Sequence, residues 1–171
     1  MYGAMSAHHH HHNDGACAHA TQHASQAEAA LERAEASCRA RGVRLTPIRR
    51  DVLAALYATH KPLGAYDLVE ALRRDGERAL APITVYRALD FLMEQGLAHR
   101  LASRNAFVAC PHGHGPSDLV AFLICEACGG VDELSSEPLS AALSGLLARE
   151  RFAPRTQVLE IAGRCSHCGT A

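Results

Sequence analysis

Four cysteines carry the clearest chemistry in this 171-residue sequence, and they form two Cys-x-x-Cys pairs. The pairs are Cys125 with Cys128 and Cys165 with Cys168. This spacing lets two thiolates reach one tetrahedral zinc ion from a tight turn, and the glycines after each pair permit the backbone angles of such a turn. Disulfides or a redox pair are alternatives, but a redox pair would not explain why there are two. We predict a structural four-cysteine zinc site that fixes the C-terminal tail to the start of its own domain.

A second group of potential metal ligands lies outside these pairs. His99, Cys110 and Glu133 each lie where two predicted elements meet, and a fourth ligand could come from the loop after Cys110. The candidates on that loop are Asp118, His112 and His114. One imidazole, one thiolate and one or two carboxylates suit zinc, and ligands drawn from two domains would couple metal occupancy to domain geometry. The alternative is that His99 and Cys110 are ordinary packing residues.

The elements that must position these ligands begin after a His-rich tail. Residues 1–26 have few large apolar side chains, so we expect a disordered tail, in which the histidines at 8–12 are either native or an expression tag. From Ala27 onward, helical periodicity recurs in four segments, and the last of these covers residues 83–95. Two apolar runs, 97–101 and 106–109, then predict a β-hairpin. Helices followed by a hairpin predict a winged helix-turn-helix domain over residues 27–109.

The last helix of this domain has side chains suited to DNA. Thr84, Tyr86 and Arg87 lie at its N-terminal end, where a recognition helix presents residues to bases and phosphates. Arg87 can bond guanine in a bidentate manner, and the other two can bond phosphates or pack on thymine methyl groups. Tyr86 could instead be a half-buried core residue.

The composition changes beyond a hinge that we place at residues 110–113. Residues 114–171 contain an apolar strand at 119–124, a second strand at 131–134, a leucine-lined helix that starts at Pro138, and a third strand at 155–162. The fold class is therefore α+β: a winged helix followed by a small α/β domain closed by the four-cysteine zinc site. A unit this small buries its surplus apolar surface against a second copy, so we expect a homodimer.

Composition restricts the class of function. The net charge of −1 favours no particular partner by itself, although six arginines fall between Arg33 and Arg50. No apolar run reaches membrane-spanning length and no signal peptide opens the sequence, so we expect a cytoplasmic protein without a membrane partner. We find no His-Glu-x-x-His, nucleophile elbow or glycine-rich phosphate loop, so we expect neither an enzyme nor a small-molecule substrate.

Taken together, these stretches resemble the ferric uptake regulator family, and in particular its zinc-sensing branch. The matching segments are VRLTPIRRDVLAAL (43–56), AYDLVEALR (65–73), TVYRALDFLMEQGLAHR (84–100), FVAC (107–110), ICEACGGVDE (124–133) and CSHC (165–168). The resemblance covers most of the chain from residue 28 onward. It implies a dimeric winged-helix repressor that binds an AT-rich palindromic operator of zinc-uptake genes when loaded with zinc.

The resemblance also implies roles for individual residues. The two cysteine pairs match the structural zinc site, while His99, Cys110 and Glu133 match three of four regulatory ligands, for two Zn²⁺ ions per subunit. Relatives have a histidine where this chain has Asp118, so His112 or His114 could substitute for it. Among DNA-contacting positions, the resemblance adds Arg44 and Tyr66 to Tyr86 and Arg87. A sister regulator that senses iron, manganese, nickel or peroxide is the main alternative, and a zinc-dependent enzyme is a remote one.

Overall fold

The computed structural model describes residues 18–73, 80–110, 118–155 and 157–169. The helices are α1 (Ala18–Ala40), α2 (Pro47–Tyr57), α3 (Ala65–Ala71), α4 (Pro82–Glu94) and α5 (Glu137–Arg149). The strands are β1 (Ala98–Leu101), β2 (Ala106–Ala109), β3 (Val120–Cys125), β4 (Val131–Leu134) and β5 (Val158–Gly163). The predicted α+β fold, with four helices and a hairpin before a small α/β unit, is confirmed. None of the helices in the described ranges has the length and apolarity required to cross a bilayer.

Helices α2 and α4 form where the apolar periodicity placed them. Each begins with a proline, Pro47 and Pro82, whose missing N–H group costs nothing in the first turn. Their inward positions, which include Leu53 on α2 and Leu89 on α4, are completely buried in one core with α1 and α3. Burying a leucine side chain contributes about 2 kcal/mol, so this core fixes the orientation of α4.

Helix α1 starts earlier than the sequence pattern indicated. We expected disorder as far as residue 26, but the helix begins at Ala18, so that expectation is wrong for residues 18–26. The segment AHATQHASQ contains neither glycine nor proline and is rich in alanine and glutamine, which favour helix even without an apolar face. The histidine run at 8–12 lies outside the described residues.

The C-terminal sheet has the strand order β4-β3-β5. Strand β3 pairs antiparallel with β4 and parallel with β5, so α5 forms the crossover between β4 and β5. Strand β5 begins at Val158, opposite Val120, and not at residue 155 as predicted. Pro154 has no N–H group to give to a strand ladder, and Arg155 lies in a bend. Helix α5 buries none of its residues, and β5 leaves Ile161 44% exposed.

The hairpin β1–β2, which forms the wing, belongs to both halves of the molecule. Its register pairs His99 with Val108 and Leu101 with Ala106, so these four side chains share one face. Leu101 and Val108 pack into the core of the C-terminal sheet, whereas Ala98 and Phe107, on the opposite face, pack into the helical core. The wing is therefore the element that joins the two domains.

A carboxylate on β5 also binds the turn of this wing. One oxygen of Glu160 accepts a hydrogen bond from the Ala102 N–H (2.7 Å), and the other accepts bonds from the N–H (3.2 Å) and the hydroxyl of Ser103. Partial burial opposes ionisation of Glu160, but the Ser103 hydroxyl and the two N–H donors outweigh it and lower the pKa of this carboxyl. Glu160 therefore links β5 to the wing by charge-assisted hydrogen bonds.

We expect Glu160→Gln to lower the free energy of unfolding by about 1 kcal/mol at pH 7, because the charge-assisted part of these bonds is lost. The loss is this small because Glu160 is partly exposed to solvent. A lowered native pKa means that the wild-type advantage is present above the ordinary glutamate pKa of 4.5 and disappears as the pH falls through the native value. Denaturant unfolding at pH 7 and at pH 4 measures the difference between the two proteins. Glu150→Gln, at an exposed position, is the control. A difference that does not depend on pH would contradict this role.

Candidate metal centres and nucleic-acid interface

The four predicted structural ligands lie together at one edge of the C-terminal sheet. The parallel register places Cys125, at the end of β3, opposite Gly163, at the end of β5, so the turns that follow both strands leave the sheet at the same edge. The Sγ atoms of Cys125, Cys128, Cys165 and Cys168 all lie within 4.8 Å of one another. Four sulfur donors at this separation fit a closed tetrahedral zinc site.

Backbone N–H groups tune the thiols in this cluster. The Cys165 N–H points at Sγ of Cys125 (3.4 Å), and the Gly130 N–H points at Sγ of Cys128 (3.4 Å). The backbone N–H groups of Cys128 and Cys165 lower the pKa of Cys125 to about 6, whereas burial raises the pKa of Cys128 to about 12. The protein alone therefore favours one thiolate over its neighbours. Four adjacent thiolates require a cation, which this donor set is suited to hold.

Residues 125–130, which we call the first knuckle, pack against the winged-helix domain. A Cβ atom at Gly130 would lie 2.8 Å from Cδ2 of His60 and 3.3 Å from Sγ of Cys128, so only glycine fits this position without a shift. The next residue, Val131, donates its N–H to the His60 carbonyl (3.0 Å). Sequence reasoning missed His60, because a single histidine before Lys61-Pro62 has no motif context.

The predicted regulatory ligands form a second cluster at the junction of the two domains. One ligand atom from each of His99, Cys110 and Glu133 lies within 4.8 Å of the others. His99 comes from β1, Cys110 from the end of the wing and Glu133 from β4. Imidazole, thiolate and carboxylate together fit zinc, and a tetrahedral ion would leave one position for a further ligand.

Neighbouring aromatic residues hold these ligands in place. The ring of His99 lies 5.3 Å from that of Phe122 on β3, measured between centroids. The Tyr57 hydroxyl donates a 2.8 Å hydrogen bond to the Cys110 carbonyl, and burial raises the pKa of Tyr57. Cys110 is only 1% exposed. The cluster is thus preorganised by the core of each domain.

The fourth regulatory position is not part of this cluster. Asp118 is exposed and lies outside the group that His99, Cys110 and Glu133 form. His112 and His114 lie outside the described residues.

The predicted DNA-contacting residues lie on the helices and on the loop before α2. Tyr66, at the start of α3, is 71% exposed, and Tyr86, on α4, is 42% exposed. Arg87 and Arg44 are also exposed, whereas Thr84 is partly buried. The exposure of Tyr86 favours a surface role over the alternative of a core tyrosine. Exposed aromatic and arginine side chains near a helix N-terminus can contact both phosphates and bases.

Comparisons with known proteins agree with this arrangement. The sequence model of the ferric uptake regulator family matches residues 40–162. The zinc uptake regulation protein of Escherichia coli strain K12 is 41% identical over 138 residues, which cover 81% of this chain and 80% of that protein. A zinc uptake regulator solved in complex with zinc and DNA has a TM-score of 0.75 and 40% identity, over 82% of this chain and 93% of that one. The holo form of XcZur has a TM-score of 0.74 and 42% identity, over 82% of this chain and 97% of that chain.

We expect Gly130→Ala to destabilise the C-terminal domain by about 2 kcal/mol, since the added methyl group would displace either His60 or the Cys128 thiol. The variant should lower the melting temperature and release zinc faster to a chelator. Gly163→Ala is the matched control, because a Cβ there meets nothing within 4 Å. If the two variants had the same melting temperature and the same rate of zinc release, the close packing at Gly130 would contribute to neither.

Proposed function

The chain belongs to the ferric uptake regulator family, and on this premise we propose that it is a zinc-responsive transcriptional repressor. It binds an AT-rich palindromic operator of zinc-uptake genes when zinc is bound, and releases it when zinc is scarce. The observation that carries this proposal is the cluster of His99, Cys110 and Glu133 at the junction of the domains. Such a cluster lets metal occupancy act on the position of a DNA-binding domain.

The four-cysteine cluster has a structural role in this proposal. It is closed, with four sulfur donors, and it lies at the edge of the sheet, where it fixes the turns after β3 and β5. The two clusters would hold two zinc ions per subunit, one structural and one regulatory. His99 and Cys110 of the wing and Glu133 of β4 would hold a zinc ion at the regulatory cluster. The ion would supply a divalent charge at the place where these segments meet.

DNA contact is assigned to the exposed residues of the winged helix. Arg87 and Tyr86 on α4 would read base edges and phosphates, while Tyr66 and Arg44 would bind the flanking backbone. Thr84 adds a hydroxyl at the start of the same helix. Most of the affinity should come from phosphate contacts and should therefore fall steeply with salt concentration.

The homodimer is assigned to the C-terminal domain. Helix α5 has no buried residue, and β5 and its surroundings expose Leu146, Phe152 and Ile161. A twofold axis through this surface would present two winged helices to the two halves of a palindrome. We place this function in the cytoplasm, because a repressor of this family meets its operator there.

A regulator that responds to another metal is the second candidate. The thiolate of Cys110 favours zinc over iron or manganese, which prefer sites richer in oxygen and nitrogen donors. The enzyme alternative is disfavoured by the family, which is one of regulators, and by the four-cysteine cluster, which leaves no open position for water.

The zinc response can be tested by a gel-shift titration on an AT-rich palindrome from a zinc-uptake promoter, with free zinc buffered over a wide range. We expect binding only as zinc rises, with no equivalent response to buffered iron or manganese. His99→Ala and Cys110→Ser should each lower the affinity in zinc by at least about tenfold, because each removes one regulatory ligand.

The control for these variants is retention of the structural site. Both should keep the melting temperature within a few degrees of wild type and should keep one zinc ion per subunit by elemental analysis. Zinc-dependent binding that survives both substitutions would refute the regulatory cluster. Binding driven by another metal would favour the second candidate.

The fourth regulatory ligand can be identified by comparing three single variants. We propose Asp118, although it lies outside the cluster in this structure, with His112 or His114 as substitutes. Asp118→Ala should weaken binding of the second zinc ion by at least about 10-fold in a competition titration with a chelator, since the loss of a group that only supports a ligand already costs about 10- to 100-fold. If Asp118→Ala binds zinc normally and either His112→Ala or His114→Ala does not, that histidine is the ligand.

A further inference from the structure

We propose that Arg49 is a positioning residue for DNA recognition. Its side chain joins the loop that carries Arg44 to the recognition helix α4. This inference rests on the proposed DNA-binding function. Arg49 lies on α2, and neither its sequence context nor the resemblance singled it out from the neighbouring arginines.

Two contacts of Arg49 carry the inference. Its guanidinium carbon lies 3.6 Å from the centroid of the Phe91 ring on α4. Its Nη1 atom donates a 2.7 Å hydrogen bond to the carbonyl of Arg44, in the loop before α2. One side chain therefore touches two of the three segments that hold proposed DNA contacts.

The chemistry of the guanidinium explains why an arginine can do this. The group is planar, so it can stack on an aromatic ring with its face while its edge donates hydrogen bonds. A lysine ammonium group is a point charge and cannot make both contacts with the same geometry. Phe91 is only 9% exposed, so the ring offers a fixed surface to Arg49.

The stack sets the relation between two proposed DNA contacts. Phe91 follows Arg87 by four residues on α4, so the two side chains lie on neighbouring turns of one side of the helix. The Nη1 edge of the same guanidinium donates its hydrogen bond to the Arg44 carbonyl. Without Arg49, the segments that carry Arg44 and Arg87 would no longer be joined by this side chain. Both segments would then have to be fixed in position when DNA binds.

The rival interpretation is that Arg49 contacts a phosphate directly. The two roles make different predictions for charge. A phosphate contact depends on the positive charge, and its removal reduces the slope of log affinity against log salt by about one. A positioning role depends on the planar fork, so lysine would fail as badly as glutamine and the salt slope would stay unchanged.

The test compares Arg49→Lys and Arg49→Gln in the zinc-loaded dimer on the operator over a range of salt concentrations. We expect both variants to lose about tenfold in affinity with the wild-type salt slope. Arg50→Lys is the matched control: Arg50 pairs with Glu35 (2.7 Å) and Glu28 (3.4 Å) on α1 and should retain affinity within about twofold. Wild-type affinity in Arg49→Lys would overturn the proposal. A salt slope that is reduced in Arg49→Gln but not in Arg49→Lys would also overturn it.

Hydrogen exchange separates this inference from the proposed function. Without DNA, Arg49→Lys should speed amide exchange at Val43, whose N–H bonds the Cys38 carbonyl (3.0 Å) at the start of this loop, compared with wild type and with Arg50→Lys. If the wild type bound no operator, the proposed function would fail, while faster exchange would still support the Arg49 link. Unchanged exchange would overturn the link whether or not DNA binds.

Discussion

The alternation of side chains along one short hairpin determines how the two halves of this molecule meet. Because neighbouring residues of a strand face opposite ways, the wing places Ala98 and Phe107 in the helical core, and Leu101 and Val108 in the C-terminal core. His99 shares the face of Leu101 and so lies beside β3 and β4. A register shift of one residue would turn His99 away from Glu133 and would turn Leu101 out of the C-terminal core towards the helical core. The second metal cluster is therefore a consequence of how the wing packs.

The C-terminal domain depends on contacts from outside its own apolar core. That core consists of a few residues of β3 and β4, together with Leu101 and Val108 of the wing, while α5 and much of β5 remain exposed. A core this small contributes too little to fold alone. Zinc at the four-cysteine cluster would cross-link the ends of the parallel pair β3 and β5, whose connection is otherwise a long crossover through α5. The exposed apolar face is the surface to which we assign the second subunit.

Local patterns predicted the elements and the ligand types, and they grouped His99, Cys110 and Glu133, but they did not predict the other long-range contacts. The periodicity of α2 and α4 and the spacing of the cysteine pairs are short-range signals, so they could be interpreted from sequence. His60, Glu160 and Arg49 gain their roles from partners far along the chain, such as Gly130, Ser103 and Phe91. Nothing in their immediate neighbours marks them. The boundary of α1 was wrong for the opposite reason: helix propensity extended it beyond its apolar face.

The contacts that already join the domains limit how much work a regulatory metal has to do. Apolar burial of Leu101, the bond from Val131 to the His60 carbonyl and the Glu160 contact to the wing use protein groups outside both ligand clusters. A ligand shifts a conformational equilibrium only by the difference in its affinity for the two states. If a substantial fraction of the metal-free protein already has the joined arrangement, a smaller difference in zinc affinity is enough to shift most molecules to it. On this reasoning, changes at Glu160 or His60 would alter the zinc concentration at which DNA binds, although neither residue belongs to the two ligand clusters found among the described residues.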